Sequence, residues 1–402
     1  MDLAARRQTM VAQLRAAQHV SDRVAEAMLA VPRHLFVPGV KPEDAYRDEP
    51  IVTKLDAGGR PISSSSQPAI MATMLDQLDV RPGHRVLEIG AGTGYNAALL
   101  AHLTGPDGRV VSLDIDEDTV AQARDHLSAA GRPEVVVACA DGAGGFPGLA
   151  PYDRVIATVG VWDLAPAWLA QLRRGGRLVV PLDLRGVQVS VAMERAEESS
   201  EELLEPGGRL GGGGRWVSRS VAPCGFMRMR GPFAGTETSV LVRREPEVLL
   251  ALPEPRDIGD LATALDTTPV EITVRAAEQA PPFVVGMGVA LWLALHEPRW
   301  CAVSGGVGGG FAAGLVEYGA IALLAVDGSV VARGHGDGGA RLAAELAAHV
   351  NAWYEAGRPQ TADLRIEASA PPRTGHGGPV VIEKRHTTLA LSFSPPSTRR
   401  HG

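Results

Sequence analysis

The stretch VLEIGAGTGYNAALLAHL, residues 86–103, constrains this chain more than any other. Val86, Leu87 and Ile89 are the short apolar run of a parallel strand covered on both faces. Gly90, Gly92 and Gly94 follow, and the run from Asn96 to Leu103 has the composition of a helix packed on a sheet. Glycine permits positive φ in such a turn and lets a ligand approach the backbone. The helix start beyond it offers free N–H groups to an electron-rich ligand.

Tyr95 stands where the dinucleotide fingerprint G-x-G-x-x-G would place its last glycine. The pattern is instead E-x-G-x-G-x-G, led by Glu88. That form resembles motif I of class I S-adenosylmethionine-dependent methyltransferases. Asp114 ends the next apolar run, RVVSLDID, where an acid suits a ribose diol. Ile115 beside it belongs to the same expected cofactor wall.

A chain of 402 residues suggests two domains, drawn here at 1–235 and 236–402. Lys and Arg number 39 against 46 Asp and Glu, so a net charge of -7 leaves no electrostatic footprint for nucleic acid. Cys139, Cys224 and Cys301 lie far apart with no C-x-x-C, which predicts a reducing compartment and three small buried hydrophobes. The first residues lack the apolar core of a signal peptide, and no apolar run reaches the ~20 residues of a spanning helix. The expectation is a cytoplasmic protein without a membrane partner. His335, His376 and His386 have no acid or cysteine at ligand spacing, so no metal is expected.

Residues 2–17 read as an amphipathic helix, and Ser21 suits the cap of a second, 23–29. PRHLFVP and AYRDEP follow, and His34 between its prolines reads as a packed structural histidine. Then come ISSSSQP, the glycine motif, ADGAGGFPGLAPYDRVIAT and QLRRGGRLVVPL. In this order, over about residues 1–230, the motifs resemble those of protein-L-isoaspartate O-methyltransferases. The resemblance implies a Rossmann-like, doubly wound, mostly parallel seven-stranded sheet. It also implies methyl transfer from S-adenosylmethionine to a peptide carboxylate, leaving S-adenosylhomocysteine.

The family's substrate-side loop usually reads G-Q-T-I-S-Q-P, and Ser66, Gln67 and Pro68 match its end. The extra serines make Ser65 a rival of Ser66 for the functional hydroxyl, with Ser64 and Gln67 beside them on the substrate side. By the same resemblance Asp141 and Gly142 face the adenine amino group. Thr158, ending the fourth strand, lines the pocket, and Arg228 and Arg230 of FMRMRGP steer a carboxylate. Residues 68–78 form a helix that holds the serine loop over the carboxyl edge of the sheet. The acceptor carboxylate is ionised at neutral pH, so it needs alignment and desolvation rather than a strong base. A neutral serine hydroxyl can hold one oxygen while the other attacks.

Residues 187–193 and 216–220 read as an antiparallel pair, joined by an acidic, glycine-rich and solvated connection. Beyond residue 235 an α+β accessory domain is expected: a hairpin at Asp327-Gly328, a helix over 338–353, later strands and a frayed tail, 395–402. The long C-terminal region and the expanded serine loop resemble versions associated with lanthipeptide and related ribosomal peptide pathways. That implies esterification of an ordinary aspartate to give an aspartimide, with the extra domain recognising the modified precursor peptide. The alternatives are repair of isoaspartyl residues through a succinimide, a small-molecule O-methyltransferase, and a cofactor-binding interaction module without catalysis. Oligomeric state is not legible.

Overall fold

The structure is a computed structural model that describes residues 2–197, 214–305, 310–370 and 380–394. Most of the acidic, glycine-rich connection, His376 and the tail at 395–402 lie outside the described residues.

The first half opens with α1 (Leu3–Ala17) and α2 (Asp22–Ala30), and the Ser21 side chain caps α2 by accepting from Val24 N. Next come β1 (Ile51–Leu55), β2 (Pro61–Ser65) and α3 (Pro68–Leu78). Then β3 (Arg85–Ile89), α4 (Tyr95–Thr104), β4 (Arg109–Asp114), α5 (Glu117–Ala129) and β5 (Val136–Cys139) alternate. β6 (Tyr152–Ala157), α6 (Pro166–Gln171), β7 (Leu172–Leu184), β8 (Val187–Arg195) and β9 (Trp216–Pro223) complete this half. β5, β4, β3, β6 and β7 lie parallel in that order, and β8 and β9 continue antiparallel. This is the expected class I methyltransferase sheet. β3 is apolar on both faces because helices cover both, so Val86, Leu87 and Ile89 are all buried.

Seven strands form a second, wholly antiparallel sheet. They are β10 (Thr238–Arg244), β11 (Glu247–Leu252), β12 (Val270–Arg275), β13 (Trp300–Gly305), β14 (Gly310–Glu317), β15 (Ala320–Val326) and β16 (Val330–His335). Their order is β10-β11-β13-β14-β15-β16-β12, and the Asp327-Gly328 turn joins β15 to β16 as its sequence predicts. α7 (Leu261–Leu265), α8 (Pro282–His296) and α9 (Gly339–Glu355) accompany it. α8 carries no polar stripe because it lies between the sheets, against β7 and β8 on one side and β13, β14 and β15 on the other. Val285, Val289 and Leu293 are fully buried there, at about 2 kcal/mol of transfer free energy each. One hydrophobic cluster therefore runs from Leu87 through Leu291 to Leu346.

The chain then returns. β17 (Leu364–Ser369), β18 (Val380–Glu383) and β19 (Thr388–Phe393) extend the first sheet past β9 to ten strands, with Glu367 and Ala368 paired to Val217 and Trp216. Residues from beyond position 235 thus sit in both sheets. The serine stretch, read from sequence as a substrate-side loop, is partly a strand: β2 pairs with β1 in a hairpin in which Ile51 lies opposite Ser65. Cys301 is buried but Cys139 is exposed at the end of β5, which corrects the expectation of three buried thiols. Among the described residues no helix is long and apolar enough to cross a membrane, and no metal-ligand cluster of three or more side chains occurs.

Candidate active site

A cavity of about 280 Å³ opens at the carboxyl ends of β3, β4 and β6. Residues 62–67, from the second strand of the β1–β2 hairpin onward, and residues 225–230 both line it. Position follows from the sheet: ligands of doubly wound folds sit outside the strand ends, where the order reverses.

Its floor is the turn after β3. Gly90 has φ +98°, and a Cβ there would meet the Val159 side chain at 2.8 Å and Thr158 Oγ1 at 3.0 Å. Only glycine fits. Gly92, at φ +50°, faces the hairpin, because a Cβ there would lie 3.6 Å from the Ser64 carbonyl oxygen. Gly94 differs from its two neighbours. It precedes α4 and is turned toward Ala123 and Leu127 of α5, so it serves helix packing and does not line the cavity.

Asp114 lines the cavity from the end of β4. Its Oδ2 accepts from Gly92 N at 3.0 Å and its Oδ1 from Asp116 N at 3.2 Å, which ties the acid to the glycine turn. Glu88 is fully buried beneath, accepting from Asn96 Nδ2 at 2.7 Å and Ser112 Oγ at 2.5 Å. Burial pushes its carboxyl up to about 7 despite those two bonds. Ile115, Asp141 and Gly142 make the next part of the wall. Gly142 is forced by close packing, since a Cβ would strike Ile89 Cγ2 at 2.4 Å, and its carbonyl accepts from Trp168 Nε1. Thr158 Oγ1 donates to the Gly90 carbonyl at 2.6 Å. Tyr95 presents a buried hydroxyl that has no partner among the described residues.

Ser64, Ser65, Ser66 and Gln67 all line the cavity. The structure separates the two rival hydroxyls. Ser65 is 3% exposed and its Oγ lies 3.4 Å from Arg33 Nη2. The Ser66 hydroxyl has no hydrogen bond among the described residues, while its carbonyl accepts from Arg33 Nη2 at 3.0 Å. Gln67 is committed elsewhere, donating to the Asp48 carbonyl and carboxylate at 3.1 and 3.0 Å. Arg228 and Arg230 line the cavity as well. His34 stays out of the cavity, with Nδ1 2.8 Å from Tyr46 Oη, as its packed reading expects.

Two residues that hold the serine stretch in place escaped sequence reasoning. Arg33 is fully buried and its two terminal nitrogens reach the carbonyls of Ala45, Arg47, Glu49, Ser65 and Ser66. Asp48 bonds Gln67 and also accepts from Ala69 N at 2.8 Å at the start of α3. The available signal was an arginine inside the apolar, proline-bracketed PRHLFVP, since a charge in such a segment needs partners.

A glycine cradle facing carboxylates, an apolar side chain at Ile115 and an unpartnered buried hydroxyl together fit an adenosyl group bearing an amino acid tail. The model of the family described as protein-L-isoaspartate(D-aspartate) O-methyltransferase matches residues 5–205. The protein-L-isoaspartate O-methyltransferase of Methanopyrus kandleri is 40% identical over 204 residues, covering 50% of this chain and 88% of that protein. The Thermotoga maritima protein of the same name is 37% identical over 166 residues, covering 41% and 52%. A solved structure named protein-L-isoaspartate O-methyltransferase aligns with 96% of this chain and 99% of its own, at TM-score 0.52 and 22% identity. That alignment shows a shared fold across both sheets.

Proposed function

The chain belongs to the protein-L-isoaspartate(D-aspartate) O-methyltransferase family, and from that premise we propose that it methylates the free carboxylate of isoaspartyl residues in peptides and proteins. S-adenosylmethionine is the methyl donor. When bound, it supplies an electrophilic methyl group on a sulfonium. The acceptor oxygen forms the new O–C bond, the S–C bond breaks, and sulfur keeps the electron pair; no proton moves.

The observation that carries this reading is that Ser66 lines the same cavity as Gly90, Gly92, Asp114 and Asp141. Gly90 and Gly92 would admit the donor, Asp114 would hold its ribose diol, and Asp141 and Ile115 would take its adenine. The Ser66 hydroxyl is free to bind one acceptor oxygen and leave the other to attack. The hairpin would shield both from water. Charge shrinks as the methyl passes, so alignment and water exclusion are the main contributions.

The finer reading, esterification of an ordinary aspartate in a ribosomally made peptide to give an aspartimide, uses the same site. Its support is the expanded ISSSSQP loop. The C-terminal region argues less for it, because a solved structure of the plain family name shares the fold over 96% of the chain. Incubation with methyl-labelled donor and a matched pair of Asp and isoAsp peptides decides. Label on the isoAsp peptide alone is expected. Label on the Asp peptide, with collapse to the aspartimide, would select the biosynthetic reading. Label on neither would overturn both.

A further inference from the structure

Arg228 lines the cavity, yet its Nε lies 3.1 Å from Glu237 Oε2, and the Glu237 side chain is only 3% exposed. Glu237 in turn neighbours Asp183 near the end of β7, itself 2% exposed. Asp183 accepts from Gly186 N at 2.9 Å and faces Lys384 Nζ at 3.8 Å. The Lys384 ammonium lies 4.7 Å over the Trp162 ring. A chain of buried charged groups thus leads from the active-site wall to the C-terminal strands.

Lys384 opens the turn between β18 and β19, and the next three residues grip the same wall. Arg385 Nη1 donates to the Pro232 carbonyl at 3.1 Å. His386 N and Thr387 Oγ1 each donate to Asp163 at 2.6 Å. The His386 ring stacks on Phe233, with centroids 5.4 Å apart and planes 3° from parallel. Both segments beside Arg228, the crossing after β6 and the stretch after β9, are fastened by this one turn. Backbone bonds already join them, since Gly160 exchanges hydrogen bonds with Met227 and Met229 on either side of Arg228.

We propose that Glu237, backed by the 384–387 turn, holds Arg228 as a charge-compensated donor on the peptide side of the site and is a positioning residue for methyl transfer. The proposal rests on the function proposed above. A bare guanidinium near the reacting atoms would pair with the attacking carboxylate and repel the sulfonium. Compensated by Glu237, Arg228 keeps N–H groups for peptide carbonyl oxygens while adding little field along the reaction axis. Burial, then the neighbouring Glu237 carboxylate, push the Asp183 carboxyl well above its usual range. This assigns the C-terminal region a part in the reaction, which a detached accessory domain would not have.

The test is a double-mutant cycle in the full chain, read as steady-state methylation of an isoAsp peptide. Glu237→Gln keeps size and removes charge. Its kcat is expected to fall about tenfold with no rise in peptide KM, because the unmasked cation binds the carboxylate too well. In an Arg228→Met background the same substitution should change kcat by less than about twofold. Equal losses in both backgrounds, or a Glu237→Gln enzyme matching wild type, would overturn the proposal. Should Glu237→Gln not fold, Arg228→Met alone decides: a several-fold rise in peptide KM is expected, and an unchanged KM overturns the inference. Wild-type enzyme inactive on the peptide would instead refute the function proposed above.

Discussion

Lys54 Nζ lies 2.7 Å from Asp116 Oδ1, and that contact ties the serine hairpin to the start of α5. Asp116 also caps α5, accepting from Thr119 N at 3.0 Å. The hydrogen bond from Lys54 is the main reason its carboxyl is held at about 2. A second contact, Lys54 to Asp118 at 3.2 Å, lies on the same helix turn. The hairpin over the glycine turn is therefore latched two residues past Asp114.

Replacing Lys54 by Met should loosen this cover without unfolding the protein. Both partners reach solvent, so the loss in stability is small. S-adenosylhomocysteine should dissociate about threefold faster from Lys54→Met than from wild type. Stopped-flow fluorescence would measure it, and an unchanged off-rate would deny the latch a role. The depressed Asp116 carboxyl contributes stability above its ordinary value of 3.8, and that contribution is lost as pH falls toward about 2.

Glu88 predicts the opposite pH dependence. Its folded value, about 7, is raised above the ordinary 4.5 by burial. Its contribution is fully present below about pH 4.5 and is lost as pH rises through about 7. Glu88→Gln removes the titration and keeps most of the contacts to Asn96 and Ser112. Between about pH 4 and about pH 8, wild type should lose about 3 kcal/mol more stability than the variant. Urea melts at both ends of the range would check this, and parallel pH curves would contradict it.

What was legible in the sequence is what backbone sterics and periodicity decide. A strand apolar on both faces, a turn that only glycine can make and an acid ending the next strand leave few folds, and the first sheet follows. The ordered motifs, through the family they resemble, pointed to Asp114, Asp141 and the serines, and these residues line one cavity. Less legible were features decided by distant partners. IVTKL is rich in β-branched residues but PISSS is not, and their pairing is a relation between two segments that neither shows alone. β17, β18 and β19 look like strands in isolation, but nothing local says that they join β9 rather than the second sheet. Gly94 illustrates the reverse: a motif glycine conformationally required yet facing α5.

Ser66 and Ser65 should separate by kinetics. Ser66→Ala removes a hydroxyl with no hydrogen bond among the described residues, so the fold should be indifferent and kcat for the isoAsp peptide should fall about 30-fold. Affinity for S-adenosylhomocysteine should stay within about twofold. Ser65→Ala removes a buried hydroxyl near Arg33 and should cost about 1 kcal/mol of stability with a smaller kinetic effect. Calorimetry of cofactor product binding beside steady-state rates gives both readings. Reversal of the two effects would move the catalytic assignment to Ser65.

Arg33 should be the most sensitive residue near the site. No carboxylate is hydrogen-bonded to its buried guanidinium among the described contacts; carbonyl oxygens from two segments, 45–49 and 65–66, surround it, and desolvation lowers its pKa. Arg33→Met would leave those carbonyls without donors, at a cost on the order of 4 kcal/mol. Arg33→Lys keeps a charge but cannot span the segments with one nitrogen, so its loss should be intermediate. The loosened strand end carries Ser65 and Ser66, so methyl transfer in Arg33→Lys should fall at temperatures where the protein is still folded. Urea midpoints paired with transfer rates would show this. Arg33→Lys with wild-type kcat would mean that the serines are set by the β1–β2 pairing alone.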